Sequence, residues 1–335
     1  MPTPDSVSTA AGVTGGPWSE ALALIDSELI GVRAVIAEQL VTPFEAVNRL
    51  LQDVSAGSGK MLRPALVLLS GRCSGNLNPR HITLAAMAEL IHTASLLHDD
   101  VLDQAVIRRN AETVNVLHGN EAAVLLGDYL LSRVFSLWME CDDPRIGRIF
   151  VTMVISLCQG ELLQNLQRQN WYLDEPTYLD IIRDKTAGLF GGCCSLGAIA
   201  AGADPAVMDA LREFGTRLGL AFQITDDLLD ITGREDKVGK TLGTDLDKRK
   251  PTLPVIHTLQ TATADQRGEL LQLLSGANDR PRLVQLLQQC GGLSYARSKA
   301  ASLCREAIHC LEILPVTPAR SALIRLTEGI VGRSA

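Results

Sequence analysis

Residues 89–103 read ELIHTASLLHDDVLD, an apolar stretch that ends in three aspartates. At helical spacing Asp99 and Asp103 lie one turn apart, and Asp100 lies three positions before Asp103. The three carboxylates therefore share one end of a helix whose preceding residues, such as Ile91 and Leu96, are predicted to be buried. A single cluster of this kind is usually a solvated acidic surface, so a functional interpretation needs a second, independent feature.

The same spacing recurs 127 positions later at Asp226, Asp227 and Asp230, again after an apolar segment (LGLAF, 218–222). Two helices that present DDxxD towards each other would form an oxygen-rich site for hard divalent cations. Mg²⁺ typically takes one or two protein carboxylates and completes its shell with water and substrate phosphate. The paired motifs therefore predict several Mg²⁺ ions, bridged by a ligand that carries a diphosphate.

Most of the remaining chain consists of apolar segments at helical spacing, for example Leu22, Ile25, Leu29 and Val32. Aromatic residues make up only 4% of the chain and alternating β-branched runs are few, which disfavours a β-sandwich or a barrel. Turn signals such as Asp142-Asp143-Pro144 separate segments of helix length. We therefore predict an all-α, single-domain bundle of roughly ten or more helices over residues 18–335, preceded by a disordered tail at residues 1–17.

Charge and cysteine content exclude several classes of protein. The 335-residue chain has 31 Lys+Arg against 38 Asp+Glu, and its formal charge of −7 predicts no nucleic-acid binding. Its eight cysteines are too dilute for a disulfide framework, so we expect small buried thiols in a reduced cytoplasm. The first residues show no apolar run typical of a secretory signal. The uncharged stretch 186–203 is rich in glycine, which predicts a buried helix and no stable membrane anchor.

A diphosphate ligand also requires cations, which an acidic chain must supply locally. Arg108 and Arg109 follow the first aspartate motif by one short turn. Lys60 and Arg63 begin an apolar segment after a glycine, although the spacing is not that of a Walker A loop. Further scattered cations are Lys185, Lys240 and Lys250. Each of these residues alone is typical of a solvated surface, so their significance depends on the pattern that they complete.

Together these motifs resemble those of the trans-isoprenyl diphosphate synthases, over essentially all of residues 20–333. The motifs that carry the resemblance are GKMLRP (59–64), ELIHTASLLHDDVLDQAVIRR (89–109), GDYLLS (127–132), GELLQ (160–164), KTAGLF (185–190), QITDDLLD (223–230) and KTLGTDLDKRKPTLP (240–254). The resemblance implies an isoprenoid-synthase fold, in which the helices surround a central apolar cavity. It also implies a Mg²⁺-dependent, head-to-tail condensation of isopentenyl diphosphate with an allylic diphosphate to give an all-trans polyprenyl diphosphate.

The resemblance further implies roles for individual residues. Those that match the isopentenyl diphosphate site are Lys60, Arg63, His92 and Arg109. Those that match the site of three Mg²⁺ ions with bound diphosphate are Asp99, Asp103 and Asp226, supported directly or through water by Asp100, Asp227 and Asp230. Those around the allylic diphosphate are Arg108, Lys185, Thr186, Gln223, Lys240 and Lys250. Of all these, the residues expected to act in catalysis are Asp99, Asp103, Arg108, Lys185, Asp226 and Lys240.

Two positions depart from the pattern of the family. Asn110 stands where glycine is common after the arginine pair, and Arg249 stands where glycine is common before Lys250. Neither change removes a ligand. Both positions lie in loops that close over the substrate, so we expect them to affect rate and substrate preference.

Product length is predicted from the side chains below the first aspartate motif. Ala94 and Ser95 lie five and four residues before Asp99, where bulky side chains in the family close the pocket after short products. Both residues are small, so we expect products beyond C15, roughly C30–C50, with C20–C25 as the second possibility. The deeper floor is expected to come from Met87, Leu90, Ile91, Tyr129, Phe135 and Trp138. Replacing Ala94 with Phe is expected to shorten the product.

Two other functions share part of this pattern. A class I terpene cyclase also uses aspartate motifs and Mg²⁺, but it has no need of the cations that match a second diphosphate site. A noncatalytic subunit of a heteromeric prenyl synthase could lose its aspartates, yet all six are present. The resemblance also implies a homodimer whose ligands are isopentenyl diphosphate and an allylic prenyl diphosphate.

Overall fold

The computed structural model describes residues 17–56, 59–108, 111–233, 245, 248–276 and 279–331. Within these ranges the regular structure is helical, except for a two-stranded antiparallel ribbon of β1 (Ile107–Arg108) and β2 (Ala111–Glu112). The predicted all-α fold is confirmed. Of the predicted tail, residues 1–16 lie outside the described ranges, and Pro17 begins the first helix.

The described residues form sixteen α-helices. In chain order they are α1 (Pro17–Ala23), α2 (Asp26–Gln39), α3 (Glu45–Ala56), α4 (Leu62–Ser74), α5 (Pro79–Leu102), α6 (Val114–His118), α7 (Asn120–Met139), α8 (Pro144–Leu166), α9 (Glu175–Ile182), α10 (Gly188–Ala200), α11 (Pro205–Thr232), α12 (Leu253–Thr261), α13 (Ala264–Ser275), α14 (Arg280–Gln289), α15 (Gly292–Cys310) and α16 (Pro318–Val331). A π-helical turn (Arg183–Ala187) joins α9 to α10, and a 3₁₀ turn (Leu311–Ile313) follows α15.

Helix α10 lies at the centre of the first core cluster, where it packs against α4, α5, α8 and α11. It is the uncharged stretch of the sequence, and its buried residues include Phe190, Cys193 and Cys194. Close packing depends on glycine, because a Cβ atom at Gly197 would lie 2.1 Å from the carbonyl oxygen of Val67 in α4. The prediction of a buried helix here is confirmed. The prediction of buried thiols is wrong for Cys158 of α8, which is exposed.

Helix α11 belongs to both core clusters of the molecule. Residues of its first half, such as Phe214, are part of the cluster around α10. Residues of its second half, such as Ile224 and Leu228, pack with α9 and with α12 to α15 in the second cluster. The second aspartate motif therefore lies on the half of α11 that the C-terminal helices surround.

A buried histidine attaches the beginning of α5 to α10. The backbone N–H of Asn78 donates to Nδ1 of His81 over 3.1 Å, so Nε2 carries the proton and donates to the carbonyl of Gly197 over 3.2 Å. Burial lowers the pKa of His81, and the ring is neutral at pH 7. This contact sets the position of α5, whose other end carries the first aspartate motif.

Helices α7 and α8 are both long and apolar enough to cross a membrane, yet only 33% of the apolar window of each is buried within the chain. The large apolar side chains that they expose include Leu125, Phe135, Met139, Ile155, Leu162 and Leu166. Soluble monomers rarely leave so much apolar surface uncovered, so these two faces require a partner or an apolar phase. Phe135, which was expected in the floor of the product pocket, is 48% exposed and does not line the cavity described below, so its role stays a prediction.

Candidate active site

Both aspartate motifs lie at the C-terminal ends of helices. Asp99 and Asp100 are in the last turn of α5 and Asp103 follows it directly, whereas the second motif occupies the last two turns of α11. A helix dipole places partial negative charge at this end, so carboxylates there are unfavourable unless cations compensate for them. Each aspartate of the site therefore needs a cationic side chain or another hydrogen-bond donor nearby.

Asp103 is held by three cationic side chains from distant segments. Arg168 donates from Nη2 to Oδ1 over 2.9 Å, and the Nζ atoms of Lys250 and Lys248 lie 3.0 Å and 3.2 Å from Oδ2. Partial burial raises the pKa of Asp103, but Lys250, Lys248 and Lys185 outweigh it and hold this pKa below its ordinary value. Lys250 was predicted at the site. Arg168 and Lys248 were not predicted as site residues. The only sequence signal for Lys248 was its position two residues before Lys250.

Asp100 pairs with Arg108. Only 4% of Asp100 is exposed, and its Oδ1 accepts hydrogen bonds from Nε of Arg108 over 2.8 Å and from Nη2 over 2.6 Å. The pair attaches the β1–β2 ribbon to the end of α5. Arg108 is thus near the first motif, as predicted, but it is bound to a carboxylate. Arg109, Asn110 and Lys240 lie outside the described residues.

Lys185 lies in the π-helical turn between α9 and α10, a local geometry that often occurs at functional sites. Its Nζ donates to Oε1 of Gln164 over 2.8 Å and pairs closely with Glu161. Burial lowers the pKa of Lys185, but the charges of Asp99 and Glu161 outweigh burial and raise it. Burial in turn raises the pKa of Asp99, against the opposing effect of Lys185. The ammonium group is therefore charged and faces the first aspartate motif.

A glycine determines how closely Lys185 approaches α8. A Cβ atom at Gly160 would lie 2.4 Å from the backbone nitrogen of Lys185. The two backbones are therefore in direct contact, which brings Glu161 and Gln164 of the same helix within reach of the ammonium group. These two residues belong to the GELLQ motif, but their contact with Lys185 was not predicted.

The second motif is held by a chain of three hydrogen bonds. Thr186 Oγ1 donates to Oε1 of Gln223 over 2.8 Å, and Gln223 Nε2 donates to Oδ1 of Asp227 over 2.8 Å. Tyr178 donates from its phenol to Oδ2 of Asp227 over 2.7 Å. Burial, followed by the charge of Asp245, raises the pKa of Asp227 to about 8. Both oxygens of Asp227 are thus engaged by protein donors, and Tyr178 is a site residue that sequence reasoning missed.

Asp230 and the end of α11 have separate supports. The backbone N–H of Asp245 donates to Oδ2 of Asp230 over 3.1 Å. Arg280 of α14 donates from Nη2 to the backbone carbonyl of Asp230 over 2.6 Å and so caps the end of α11. Asp226 is partly buried beside Asp227 and takes part in interactions of its own. The motif therefore presents Asp226 from a helix end that is fixed on both sides.

The adjacent residues Lys185 and Thr186 connect the two motifs. Lys185 acts on Asp99 of α5, and Thr186 hydrogen-bonds to Gln223 of α11. Predicted residues of both aspartate motifs and of the allylic site are thus brought together around one turn of π-helix.

Three of the residues predicted for isopentenyl diphosphate lie at two helices: Lys60 and Arg63 at the beginning of α4, and His92 in the middle of α5. Met61 adopts a left-handed conformation (φ 52°) directly before α4, between Lys60 and Arg63. The guanidinium of Arg63 lies 5.3 Å from the ring centroid of Phe190, within the range of a cation–π contact. His92 is 8% exposed and lies on the side of α5 that bears Asp99.

A cavity of about 290 Å³ lies beside the Asp100–Arg108 pair. Its lining includes Gly59 and Met61, the neighbours of Lys60, as well as Leu90. Of the residues predicted to control chain length, Met87, Ile91 and Ala94 are packed in the first core cluster and Ser95 is half-buried, and none of the four lines this cavity. Their role in product length stays a prediction.

The donor set fits Mg²⁺ by its chemistry. All of the candidate ligands are carboxylate oxygens, which a hard cation prefers, and thiol or imidazole ligands for a softer metal are absent from both motifs. Within the described residues no three acidic, histidine or cysteine side chains form a ready-made ligand cluster. Because Mg²⁺ takes only one or two carboxylates and relies on substrate phosphate for the rest, a preformed cage is not required.

The chain is similar over nearly its whole length to proteins of known activity. The family model described as polyprenyl synthetase matches residues 44–311. The chain is 36% identical to octaprenyl diphosphate synthase of Escherichia coli (strain K12) over 313 residues, which cover 92% of this chain and 97% of that protein. It is 35% identical over 310 residues to the all-trans-nonaprenyl-diphosphate synthase (geranyl-diphosphate specific) of Rhodobacter capsulatus, with coverage of 92% and 95%. Its fold is similar to that of a polyprenyl synthase from Caulobacter crescentus CB15 complexed with calcium and isoprenyl diphosphate, with a TM-score of 0.90, 32% identity and coverage of 97% and 100%.

Proposed function

Because the chain belongs to the polyprenyl synthetase family, we propose that it condenses isopentenyl diphosphate head to tail with an allylic diphosphate and releases an all-trans polyprenyl diphosphate. The observation that carries this proposal is the turn Lys185–Thr186, which connects the aspartate motif of α5 to that of α11. A site of this kind can hold one diphosphate between two acidic helix ends. The prenyltransferase class follows from the family itself.

The proposed chemistry assigns the allylic diphosphate to the two aspartate motifs. When bound, Mg²⁺ neutralises this diphosphate and makes it a leaving group. Lys185 and Lys250 supply positive charge to its oxygens, and Thr186 positions Gln223 beside it by a hydrogen bond. The second substrate, isopentenyl diphosphate, lies near Lys60, Arg63 and His92. Its double bond attacks the allylic carbon as the bond from that carbon to the diphosphate breaks, and the cationic adduct then loses a proton. We propose that the departed diphosphate, rather than a side chain, takes up that proton.

A carbocation requires that water is excluded from the reacting atoms. The helix that bears Asp99 is enclosed for most of its length, and Met87, Ile91 and Ala94 show at most 2% exposure. These side chains provide an apolar surrounding below the charged end of α5. The aspartates therefore lie at the boundary between an aqueous metal site and an apolar interior.

We propose a product of roughly C30–C50. The small side chains of Ala94 and Ser95 support this range, because no bulky side chain stands at these two positions before Asp99. Two relatives support the same range, since their names specify octaprenyl and nonaprenyl products.

The test is incubation of the purified protein with Mg²⁺, labelled isopentenyl diphosphate and C5, C10, C15 or C20 allylic diphosphates, followed by chromatography of the products. A ladder that ends at one length supports the proposal. Loss of diphosphate from an allylic substrate without incorporation of isopentenyl diphosphate would indicate a terpene cyclase instead. Absence of any turnover would favour a subunit that requires a partner.

We also propose a cytoplasmic homodimer in which a second copy covers the apolar faces of α7 and α8. The exposed Leu125 of α7 and Ile155 of α8 support this, as does the small buried fraction of both helices. Replacing Leu125 and Ile155 with Glu is expected to give a monomer in light scattering, whereas Val316→Glu, at a position 86% exposed on a loop, leaves the dimer intact. Flotation of the wild-type protein with lipid vesicles would favour a membrane as the covering phase.

A further inference from the structure

Asp103 is surrounded by more positive charge than it can balance. Three cationic groups, those of Arg168, Lys248 and Lys250, lie within 3.2 Å of its two oxygens. Arg168 and Lys248 form no other ion pair with the described part of the chain. Lys185 has Glu161 as its direct partner and adds to the positive potential at Asp103. One carboxylate therefore holds three cationic groups, which share its two oxygens as their only ion-pair partner among the described residues.

The two segments that bear the additional cations are bound to each other. The backbone N–H of Gln169 donates to the carbonyl of Arg249 over 2.9 Å, and Nη1 of Arg249 lies 3.3 Å from Oε1 of Gln169. Both residues have left-handed backbones, with φ of 67° and 53°. This conformation is unfavourable for a residue with a side chain, so the surrounding contacts must impose it. Arg168 and Lys248, each next to one of these residues, are therefore held in position before any ligand binds.

The guanidinium of Arg168 also has an unused donor. Its Nε is buried and has no hydrogen-bond acceptor among the described residues, while Nη2 of the same group is bound to Asp103. A planar guanidinium binds two oxygens of a phosphate or carboxylate side by side. An oxyanion with several oxygens would satisfy the free donor of Arg168 and could also bind the cations that now share Asp103.

We propose that Arg168 and Lys248 bind the diphosphate of the allylic substrate, in addition to the lysines that the sequence motifs identify. Without ligand, Asp103 occupies their donors. When Asp103 is engaged by a divalent cation, the guanidinium and the ammonium are released to the diphosphate oxygens beside it. This inference rests on the proposed function, which identifies the substrate as an allylic diphosphate. Binding of a diphosphate by Arg168 and Lys248 can nevertheless be measured whether or not the protein elongates prenyl chains.

The test measures binding of inorganic diphosphate in the presence of Mg²⁺ by titration calorimetry. The variants are Arg168→Gln, Lys248→Gln and the double variant. The matched control is Arg212→Gln, an exposed arginine of α11 that pairs with Asp209 one turn away. We expect each single change to weaken diphosphate binding roughly tenfold, as for the loss of one charge-assisted hydrogen bond, and the double change to weaken it further. Arg168→Lys keeps the charge and should restore part of the affinity.

Steady-state kinetics provides the second readout. We expect the KM for the allylic diphosphate to rise in Arg168→Gln and Lys248→Gln, while the KM for isopentenyl diphosphate stays within about twofold of wild type. A merely structural role would lower the melting temperature and leave diphosphate affinity unchanged, and this result would overturn the proposal. Equal increases in both KM values would overturn it as well.

The two proposals fail in different ways. A wild-type protein that binds diphosphate through these residues but never incorporates isopentenyl diphosphate refutes the synthase activity and supports the present inference. A wild-type protein that elongates normally, with variants that bind diphosphate as tightly as it does, refutes the present inference alone.

Discussion

The phenolic oxygen of Tyr178 lies 2.7 Å from Oδ2 of Asp227, and both side chains are buried where α9 meets α11. Gln223 holds the other oxygen of the same carboxylate over 2.8 Å. Asp227 is therefore held by hydrogen bonds from within the protein, through both of its carboxylate oxygens. The support of a metal site by hydrogen bonds behind its ligands is a general feature of such sites.

Replacing Tyr178 with Phe removes this donor and keeps the ring. The change leaves a buried carboxylate oxygen without its partner, at a cost of about 1–3 kcal/mol. We expect kcat to fall by roughly tenfold, the equivalent of about 1.4 kcal/mol, because Asp227 loses its fixed orientation. Incorporation of labelled isopentenyl diphosphate measures the effect. Tyr172→Phe is the control, since Tyr172 is 87% exposed, and equal rates in the two variants would contradict the prediction.

Gly160→Ala is expected to impair catalysis through Lys185. The new Cβ atom would lie 2.4 Å from the backbone nitrogen of Lys185, so the π-helical turn must move away from α8. A displacement of about 1 Å at a catalytic group can reduce the rate by as much as a hundredfold, and we expect a loss of at least tenfold.

The control for this variant is Gly268→Ala in α13, where no heavy atom lies within 4 Å of the added Cβ. There the change should stabilise the helix by about 0.5–1 kcal/mol without affecting the rate. Normal activity of Gly160→Ala would show that Lys185 does not depend on the close contact with α8.

The pH dependence of stability should reflect Glu175 at the beginning of α9. It accepts a hydrogen bond from the phenol of Tyr295 over 2.6 Å and pairs with Lys299 over 2.8 Å. Partial burial raises the pKa of Glu175, but Lys299 and Tyr295 outweigh it and lower this pKa below the ordinary value of 4.5. The folded protein thus holds the carboxylate more strongly ionised than the unfolded chain does. The stabilisation is complete above about pH 4.5 and is lost as the pH falls through the folded-state pKa.

Glu175→Gln tests this dependence by urea denaturation at several pH values. At pH 7 we expect the free energy of unfolding to fall by about 1 kcal/mol, a modest value because the pair is partly exposed. Below pH 4 the difference between variant and wild type should shrink towards zero. A difference that is constant from pH 7 to pH 3 would contradict the assignment.

Ser95→Phe is expected to shorten the product. Ser95 is half-buried one turn before Asp99 and donates to the carbonyl of His92 over 2.8 Å. It has more room than Ala94, which is completely buried and where a phenyl ring would overpack the core by about 1–3 kcal/mol. The measurement is chromatography of the product ladder. Thr261→Phe, at an exposed position that ends α12, should leave the ladder unchanged. An unaltered ladder in Ser95→Phe would remove Ser95 from the path of the growing chain.

The parts of the site that depend on helical spacing were predictable from the sequence. Asp99 and Asp103 share a face of α5 because they are four residues apart, and Gln223 reaches Asp227 for the same reason. The burial of α10 was also predictable, because a segment that is rich in glycine and has no charged residue packs closely against other helices. In each of these cases the periodicity of one helix contains the necessary information.

The residues that were missed act across large sequence separations. Tyr178 lies 49 residues from Asp227, and Arg168 lies 65 residues from Asp103. Each belongs to a residue type that is common on surfaces, so only the packing of α8 and α9 against their neighbours reveals its role. The pairing of Asp100 with Arg108 depends in the same way on strand β1, which no helical pattern describes.

The contact between Asp103 and Lys250 spans 147 residues of chain, and this has a consequence for biosynthesis. When the ribosome has completed the first aspartate motif, the cations that will hold it have not yet been translated. Closing a longer loop adds only about 0.6 kcal/mol for each doubling of its length, so the delay costs little stability. It does set an order of events, because the charged site is completed only after residue 250 has emerged, and the cluster around α4, α5 and α10 is completed later still by residues such as Leu311, Leu323 and Ile330. Catalytic competence is therefore acquired late, and a chain terminated before residue 250 would lack both Lys250 and part of its core.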